Sequence, residues 1–231
     1  MSASAYGGPV IGFRRAASHD RHVMYTLYGY KGSGSAAIEC ALEVARAPYR
    51  IVSAASWDSA SCVDALSQVN ALLQVPTLVL PDGTVLSESA AILIHLGLQF
   101  PQGQLLPPAA ERRATAIRGL VFIAANCYSA ISVIDFPERW LADASDEAKD
   151  NLKAGSTRRL HRNWEIFADS LRPARYLCGD RPGALDLLAA VVSRWGGARS
   201  HLEKTRPALA EALGRVDTDE RFRPVFLRHW N

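Results

Sequence analysis

Three short segments of this sequence carry side chains that could bind a ligand or take part in a reaction. Ser33 and Ser35 alternate with glycines in a turn that precedes a predicted helix. Ser87-Glu88-Ser89 precedes another predicted helix, where hydroxyls cap the helix and backbone N–H groups attract anions. Val75-Pro76 opens an apolar strand, which indicates a sheet edge, a bulge or a cis bond. A cis bond would turn backbone groups outward to pair with an extended peptide.

Each of these segments also has an ordinary structural interpretation. Pro76 could be a trans proline at the start of a strand, and Ser87-Glu88-Ser89 could serve only as a helix cap. The turn Gly32–Ser35 could be flexible, with backbone N–H groups as its useful donors. A lone motif does not separate these alternatives, so the surrounding elements matter.

The elements around the three segments follow the order of a thioredoxin-like domain. A βαβ unit comes first, then a short helix, then two strands around a Pro-Asp-Gly turn, then a helix. The predicted elements are a strand Tyr25–Tyr30, a helix Ala36–Arg46, a strand Tyr49–Val52, a helix Val63–Val69, strands Val75–Leu80 and Val85–Leu86, and a helix Ala90–Leu98.

The second half of the chain predicts only helices. The predicted helices are Ala110–Ile134, Asp146–Leu171, Leu185–Trp195 and one that follows Pro207. We therefore expect an α/β thioredoxin-like N-terminal domain over residues 24–101, a proline-containing linker over 102–109 and an all-α C-terminal domain over 110–231. Residues 1–23 are small, polar or rich in glycine and proline, and we expect a disordered extension there.

Composition narrows the classes of function. The net charge is only +3, and basic residues alternate with acidic ones at helical spacing, so we expect no nucleic-acid partner. Four dispersed cysteines form no CxxC or Cys/His spacing, so we expect neither a metal nor a disulfide. The apolar run Ala90–Leu98 is too short to span a bilayer, and no signal peptide is evident, so we expect no membrane partner and a cytoplasmic location.

The run VPTLVLPDGTVLSESAAILIHL resembles the glutathione-binding core of glutathione S-transferases. The resemblance extends through LYGYKGSGSAAIECALEVARAPY and the helical half, and covers residues 24–231. It implies that Val75 and Pro76 pair with the cysteinyl backbone of glutathione. It also implies that Glu88 and Ser89 bind the γ-glutamyl end, with Glu88 facing the α-ammonium and Ser89 the α-carboxylate.

The resemblance also directs attention to the turn before the first helix, where redox-active thioredoxin folds carry CxxC. The turn Gly32-Ser33-Gly34-Ser35 has no sulfur, so dithiol chemistry is not expected. The position that often holds the catalytic serine corresponds to about Gly32, so Ser33 is the nearest hydroxyl for the glutathione thiolate and Ser35 the alternative. In the helical half, Gly183 and Asp186 resemble the family's helix-start motif and predict a role in folding.

These features predict a homodimeric enzyme that uses glutathione as cosubstrate and conjugates it to a small hydrophobic electrophile. Tyr128 and Trp164 are candidates for lining the electrophile cleft, although an aromatic on such a helix is more often core. The alternative is a non-catalytic glutathione-binding or regulatory protein of the same fold. A glutathione-dependent reductase or peroxidase ranks last, because no active-site cysteine is evident.

Overall fold

The computed structural model describes residues 24–171 and 175–231. The predicted extension over residues 1–23 lies outside the described residues. In the first part of the described chain the elements are β1 Tyr25–Gly29, α1 Ser35–Ala45, β2 Tyr49–Ser53, α2 Val63–Ser67, β3 Thr77–Val79, β4 Val85–Leu86 and α3 Ser89–Gln99. The later elements are α4 Ala110–Phe122, a π-helical segment Ile123–Tyr128, α5 Ser129–Asp135, α6 Asp146–Asp169, α7 Ala184–Val192, α8 Ala198–Thr205, α9 Pro207–Asp217 and α10 Arg223–Trp230.

The four described strands form one mixed sheet in the order β2-β1-β3-β4. β1 is parallel to β2 and antiparallel to β3, and β3 is antiparallel to β4. Leu27 and Leu78 face each other across β1 and β3 and are completely buried, in the same core as the apolar face of α1. This arrangement confirms the predicted thioredoxin-like N-terminal part, followed by a largely helical remainder.

Helix α7 lies at the centre of the helical part. All nine of its residues are buried, which explains why its sequence is almost entirely apolar rather than amphipathic. It packs against α1 and α3 as well as α4 and α9, so one hydrophobic core joins the sheet-bearing part to the helices.

The stretch Ala110–Asp135 is long and apolar enough, by length and composition alone, to cross a membrane. In the structure it packs within the molecule, and Leu120, Ile123 and Ile131 belong to the shared core. The sequence predicts this stretch as one regular helix. Its middle is instead the π-helical segment Ile123–Tyr128, a feature that periodicity does not reveal.

Helix α10, which was not predicted, packs against α1 through a buried ion-pair cluster. The Glu39 carboxylate is almost fully buried, and it accepts hydrogen bonds from Arg228 Nε at 2.9 Å and pairs with His229 Nε2 at 3.0 Å. Burial by itself raises the pKa of Glu39, but the hydrogen bonds from His229 and Arg228 outweigh it and hold that pKa below the usual value of 4.5.

This depressed pKa predicts an acid-dependent loss of stability. Because the folded pKa of Glu39 is lower than the unfolded one, its contribution is fully present above pH 4.5 and is lost as the pH falls through the folded value. Glu39→Gln is therefore expected to lower the free energy of unfolding by about 1–3 kcal/mol at neutral pH. Below pH 4.5 the difference from the wild type should shrink.

Urea unfolding at a series of pH values measures this effect, with Glu43→Gln as the matched control. Glu43 is on the same helix but has a half-exposed side chain, so its substitution should change stability little. If the loss of unfolding free energy in Glu39→Gln stays constant down to acidic pH, Glu39 does not have the lowered pKa described above.

Candidate functional site

A cavity of about 800 Å³ lies between the sheet-bearing part and the helical part, where the π-helical segment and α5 contribute to its wall. From the first part of the chain it is lined by Lys31, Gly32, Ser33, Ser56, Trp57, Leu72, Leu73, Gln74, Val75, Pro76, Glu88 and Ser89. From the helices it is lined by Ala124, Tyr128, Ser129, Ile131, Ser132, Asp135, Phe136, Arg139, Trp140 and Trp195. Five predicted site residues therefore line the same cavity, namely Ser33, Val75, Pro76, Glu88 and Ser89. Ser35, the alternative to Ser33, does not line it.

The segment Val75-Pro76 contains a cis peptide bond, as the sequence suggested among its alternatives. The next residue, Thr77, is buried, and its hydroxyl donates to the Gln74 carbonyl at 2.9 Å and accepts from Asn70 Nδ2 at 2.9 Å. These contacts fix the chain on both sides of the cis bond. Val75 is thereby held at the wall of the cavity, at the entrance to β3.

Glu88 and Ser89 lie where α3 begins, and neither acts as a side-chain cap in the structure. Glu88 has a φ of +66°, a region that residues other than glycine and asparagine rarely adopt and that is often found at functional sites. Because the first N–H groups of a helix have no acceptor within the helix, those at Ser89 and its neighbours remain available to an anion. The site thus offers a carboxylate for a cation beside N–H donors for a carboxylate.

The turn Gly32–Ser35 holds its two serine hydroxyls in an internal network. Ser33 Oγ lies 2.8 Å from Ser35 Oγ, and Ser35 Oγ donates to the Tyr30 carbonyl at 3.3 Å. Either serine can be the donor between the two hydroxyls. The same oxygens accept from the Tyr30 N–H, at 3.4 and 3.2 Å. Both hydroxyls therefore have hydrogen-bond partners inside the turn.

Helix α10 and the residue that follows it make hydrogen bonds to this turn. The Gly32 N–H donates to His229 Nδ1 at 3.2 Å, and Lys31 Nζ donates to the backbone oxygen of Asn231. His229 is in turn fixed by Glu39 on α1. Sequence reasoning missed this support, because it did not predict α10 and the partners are almost 200 positions apart.

Tyr128 reaches the same turn from the helical side. A Cβ on Gly34, the residue immediately before α1, would clash with the Tyr128 hydroxyl oxygen and lie 3.2 Å from the ring carbon that bears it. Trp195 packs against the Tyr128 ring with centroids 5.6 Å apart. The expectation that Tyr128 lines the cleft is thus met. The same expectation for Trp164 is wrong, because Trp164 is fully buried among Phe167 and other core residues.

The remaining helical wall of the cavity combines aromatic and apolar side chains with polar ones. Phe136 and Trp140 come from the segment after α5, with the Arg139 guanidinium 3.8 Å from the centre of the Phe136 ring. Burial raises the pKa of Asp135, which also lines this region. This half of the cavity suits a small, largely apolar molecule with an aromatic or polarisable group.

Two of the protein's own thiols, those of Cys40 and Cys127, are poorly suited to act as nucleophiles here. Burial raises the pKa of the Cys127 thiol to about 12 and that of Cys40 well above its usual value, so both stay protonated at neutral pH. Neither lines the cavity. Within residues 24–171 and 175–231, no group of three or more His, Cys, Asp or Glu side chains has an arrangement that could hold a metal ion.

A thioredoxin-like domain joined to helices across such a cavity defines the glutathione S-transferase class of fold. The model of the glutathione S-transferase N-terminal domain matches residues 35–99. The uncharacterised GST-like protein YncG of Escherichia coli K12 is 31% identical over 177 residues, which cover 75% of this chain and 82% of YncG. The chain therefore belongs to the glutathione S-transferase family.

Solved structures show the same similarity. A glutathione transferase homologue from Sulfitobacter, with bound glutathione, has a TM-score of 0.76 at 21% identity and covers 88% of this chain and 97% of its own. The bacterial GST BphK, solved as a ternary complex, has a TM-score of 0.71 at 27% identity and covers 87% of this chain and 98% of its own.

Proposed function

We propose that this protein binds glutathione and transfers its thiolate to a small hydrophobic electrophile. The observation that carries the proposal is the single cavity in which Val75, Pro76, Glu88 and Ser89 meet an aromatic wall from the helices. The bound glutathione in the Sulfitobacter structure supports glutathione as the cosubstrate.

Each end of glutathione has a complementary group in this cavity. Glu88 accepts from the α-ammonium, and Ser89 with the first N–H groups of α3 binds the α-carboxylate. The Val75 backbone pairs with the cysteinyl residue as an added strand would. With these two anchors, the thiol points towards Gly32 and Ser33, which line the same cavity.

The chemical step uses the cosubstrate's thiol rather than one from the protein. The free thiol has a pKa of about 8.5, so donors and the positive end of α1 raise the thiolate fraction near neutral pH. The thiol proton passes to solvent and the thiolate attacks the electrophilic carbon. A C–S bond forms, and the leaving group departs with the electron pair of the bond that breaks.

Retention on immobilised glutathione, followed by a conjugation assay with a generic aromatic electrophile, tests this function. We expect retention that free glutathione reverses, together with turnover above the uncatalysed rate. Retention without turnover would favour the alternative, a non-catalytic glutathione-binding or regulatory protein. Absence of retention would remove the glutathione assignment.

The sequence predicts that Ser33, or alternatively Ser35, supplies the hydroxyl for the thiolate, and this assignment stays a prediction. If Ser33 has that role, Ser33→Ala should lower kcat by on the order of 100-fold, as the loss of a charge-stabilising donor does. Steady-state kinetics measure this, with Ser129→Ala as the matched control. Ser129 also lines the cavity, but its hydroxyl donates to the Ala125 carbonyl. Equal activity of the two variants would exclude Ser33.

Homodimerisation and a cytoplasmic location are also parts of this proposal. Both follow from the family resemblance and the expectations drawn from the sequence. Size-exclusion chromatography with light scattering tests the first, and fractionation of cells that express the protein tests the second.

A further inference from the structure

The Tyr128 hydroxyl occupies the space that a side chain at position 34 would need. An ideal Cβ built on Gly34 clashes with the Tyr128 oxygen, so only glycine leaves room for it there. Gly34 immediately precedes α1, where the helix presents its positive end. A phenol from the helical half therefore stands at the N-terminus of the first helix, in the same cavity as Ser33 and Ser89.

The π-helical segment Ile123–Tyr128 ends at this tyrosine. Such segments are uncommon within helices and frequently lie at functional sites, because the wider turn changes the direction of the side chains that follow. The Asn126 carbonyl, within the segment, accepts a hydrogen bond from Asn163 Nδ2 on α6 at 2.8 Å. Trp195 packs against the ring of Tyr128. The position of the phenol is thus fixed by neighbours on two other parts of the helical half.

The Tyr128 hydroxyl can offer its proton to a ligand in the cavity. Its oxygen lies against the backbone of Gly34 at the start of α1, and Tyr128 lines the cavity there. The Ser33 and Ser35 hydroxyls, in contrast, are hydrogen-bonded to each other, and Ser35 also contacts the Tyr30 carbonyl. Burial raises the pKa of Tyr128 to about 12, so the phenol stays protonated at neutral pH and can only act as a donor to an anion.

We propose that the Tyr128 hydroxyl donates the hydrogen bond that stabilises the glutathione thiolate, and that Ser33 and Ser35 shape the turn. The inference rests on the proposed function and names the activating group for it. Tyr128 keeps its proton throughout the reaction, while the thiol proton goes to solvent and the sulfur forms the new C–S bond. The hydrogen bond from Tyr128 stabilises the thiolate and therefore lowers the pKa of the glutathione thiol.

The pH dependence of thiolate ultraviolet absorbance, with glutathione bound to the full chain, tests the role directly. Tyr128→Phe should raise the apparent pKa of the bound thiol towards the free value of about 8.5. At neutral pH its kcat should fall on the order of 100-fold, and the loss should be smaller at alkaline pH. The Kd for glutathione should change by less than about tenfold, because the anchors at Glu88 and Val75 remain.

Two further variants make the outcome specific. Tyr49→Phe removes a phenol whose hydroxyl donates to Glu43, away from the cavity, and should leave the thiol pKa unchanged. Gly34→Ala displaces the Tyr128 hydroxyl and should reproduce the shift, with no additional shift in the double variant Gly34→Ala/Tyr128→Phe.

The outcomes separate this inference from the proposed function. Glutathione binding by the wild type with an unshifted thiol pKa in Tyr128→Phe would overturn the role of Tyr128 alone. If Ser33→Ala raises the pKa of the bound thiol and Tyr128→Phe does not, Ser33 is the residue that stabilises the thiolate. If the wild type does not bind glutathione by calorimetry, the proposed function and the role of Tyr128 both fall.

Discussion

Replacement of Asp186 by alanine is expected to lower the free energy of unfolding by about 3–5 kcal/mol, the largest stability effect of any substitution considered for this fold. Its carboxylate is completely buried at the start of α7 and accepts from three backbone N–H groups. The donors are Leu177 at 2.6 Å, Cys178 at 3.2 Å and Gly183 at 2.9 Å. Alanine would leave these N–H groups without their acceptor. Each buried donor that loses its hydrogen-bond partner costs about 1–3 kcal/mol.

Equilibrium urea unfolding measures this loss, with Asp180→Ala as the matched control. Asp180 lies in the same segment before α7 but is exposed, so its substitution should change stability by less than about 0.5 kcal/mol. Asp186→Asn keeps one acceptor oxygen and should have an intermediate effect. If Asp186→Ala unfolds at the same urea concentration as Asp180→Ala, the predicted folding role of Asp186 is wrong.

Replacement of Glu88 by glutamine is expected to weaken glutathione binding by about 10- to 100-fold. A hydrogen bond between charged groups contributes about 1.5–3 kcal/mol, and every 1.4 kcal/mol corresponds to a tenfold change in Kd. Glutamine keeps the size of the side chain and removes only the negative charge that the α-ammonium requires. Ser89→Ala should cost less, because the backbone N–H groups of α3 still bind the α-carboxylate.

Isothermal titration calorimetry with glutathione measures both effects. Glu138→Gln is the matched control, since Glu138 is exposed after α5 and does not line the cavity. A second ligand sharpens the test: a glutathione analogue without the α-amino group should bind the wild type weakly and lose nothing further in Glu88→Gln. An unchanged Kd for glutathione in Glu88→Gln would contradict the placement of the γ-glutamyl end at α3.

The sequence predicts the elements of the first half well, because their signals are local. The alternation in β1, the Pro-Asp-Gly turn after β3 and the cap-forming residues before α3 each lie within a few positions of the element that they define. The family resemblance pointed to Val75, Pro76, Glu88 and Ser89, and the structure brings these four residues to one cavity. Their contacts with glutathione remain predictions.

Other features depend on long-range contacts and could not be predicted. The short helices α8 and α10 carry too little periodicity to be separated from their surroundings, and α10 is fixed by its partners on α1. The π-helical segment has the composition of an ordinary apolar helix, so its effect on Tyr128 is visible only in the structure. Trp164 was a candidate for both the cleft and the core, because helical spacing alone does not tell which face of α6 meets the core, and the structure buries it completely.

The hydrogen bond between Gly32 and His229 has a consequence for synthesis of the protein on the ribosome. Its partners are 197 positions apart, and the salt bridge between Glu39 and Arg228 spans 189. The sheet and α1 leave the ribosomal exit tunnel early, yet the turn Gly32–Ser35 lacks its hydrogen bond to His229 until α10 has been translated. A nascent chain therefore lacks these two contacts for most of its elongation, and contacts this distant in sequence form late because loop closure opposes them.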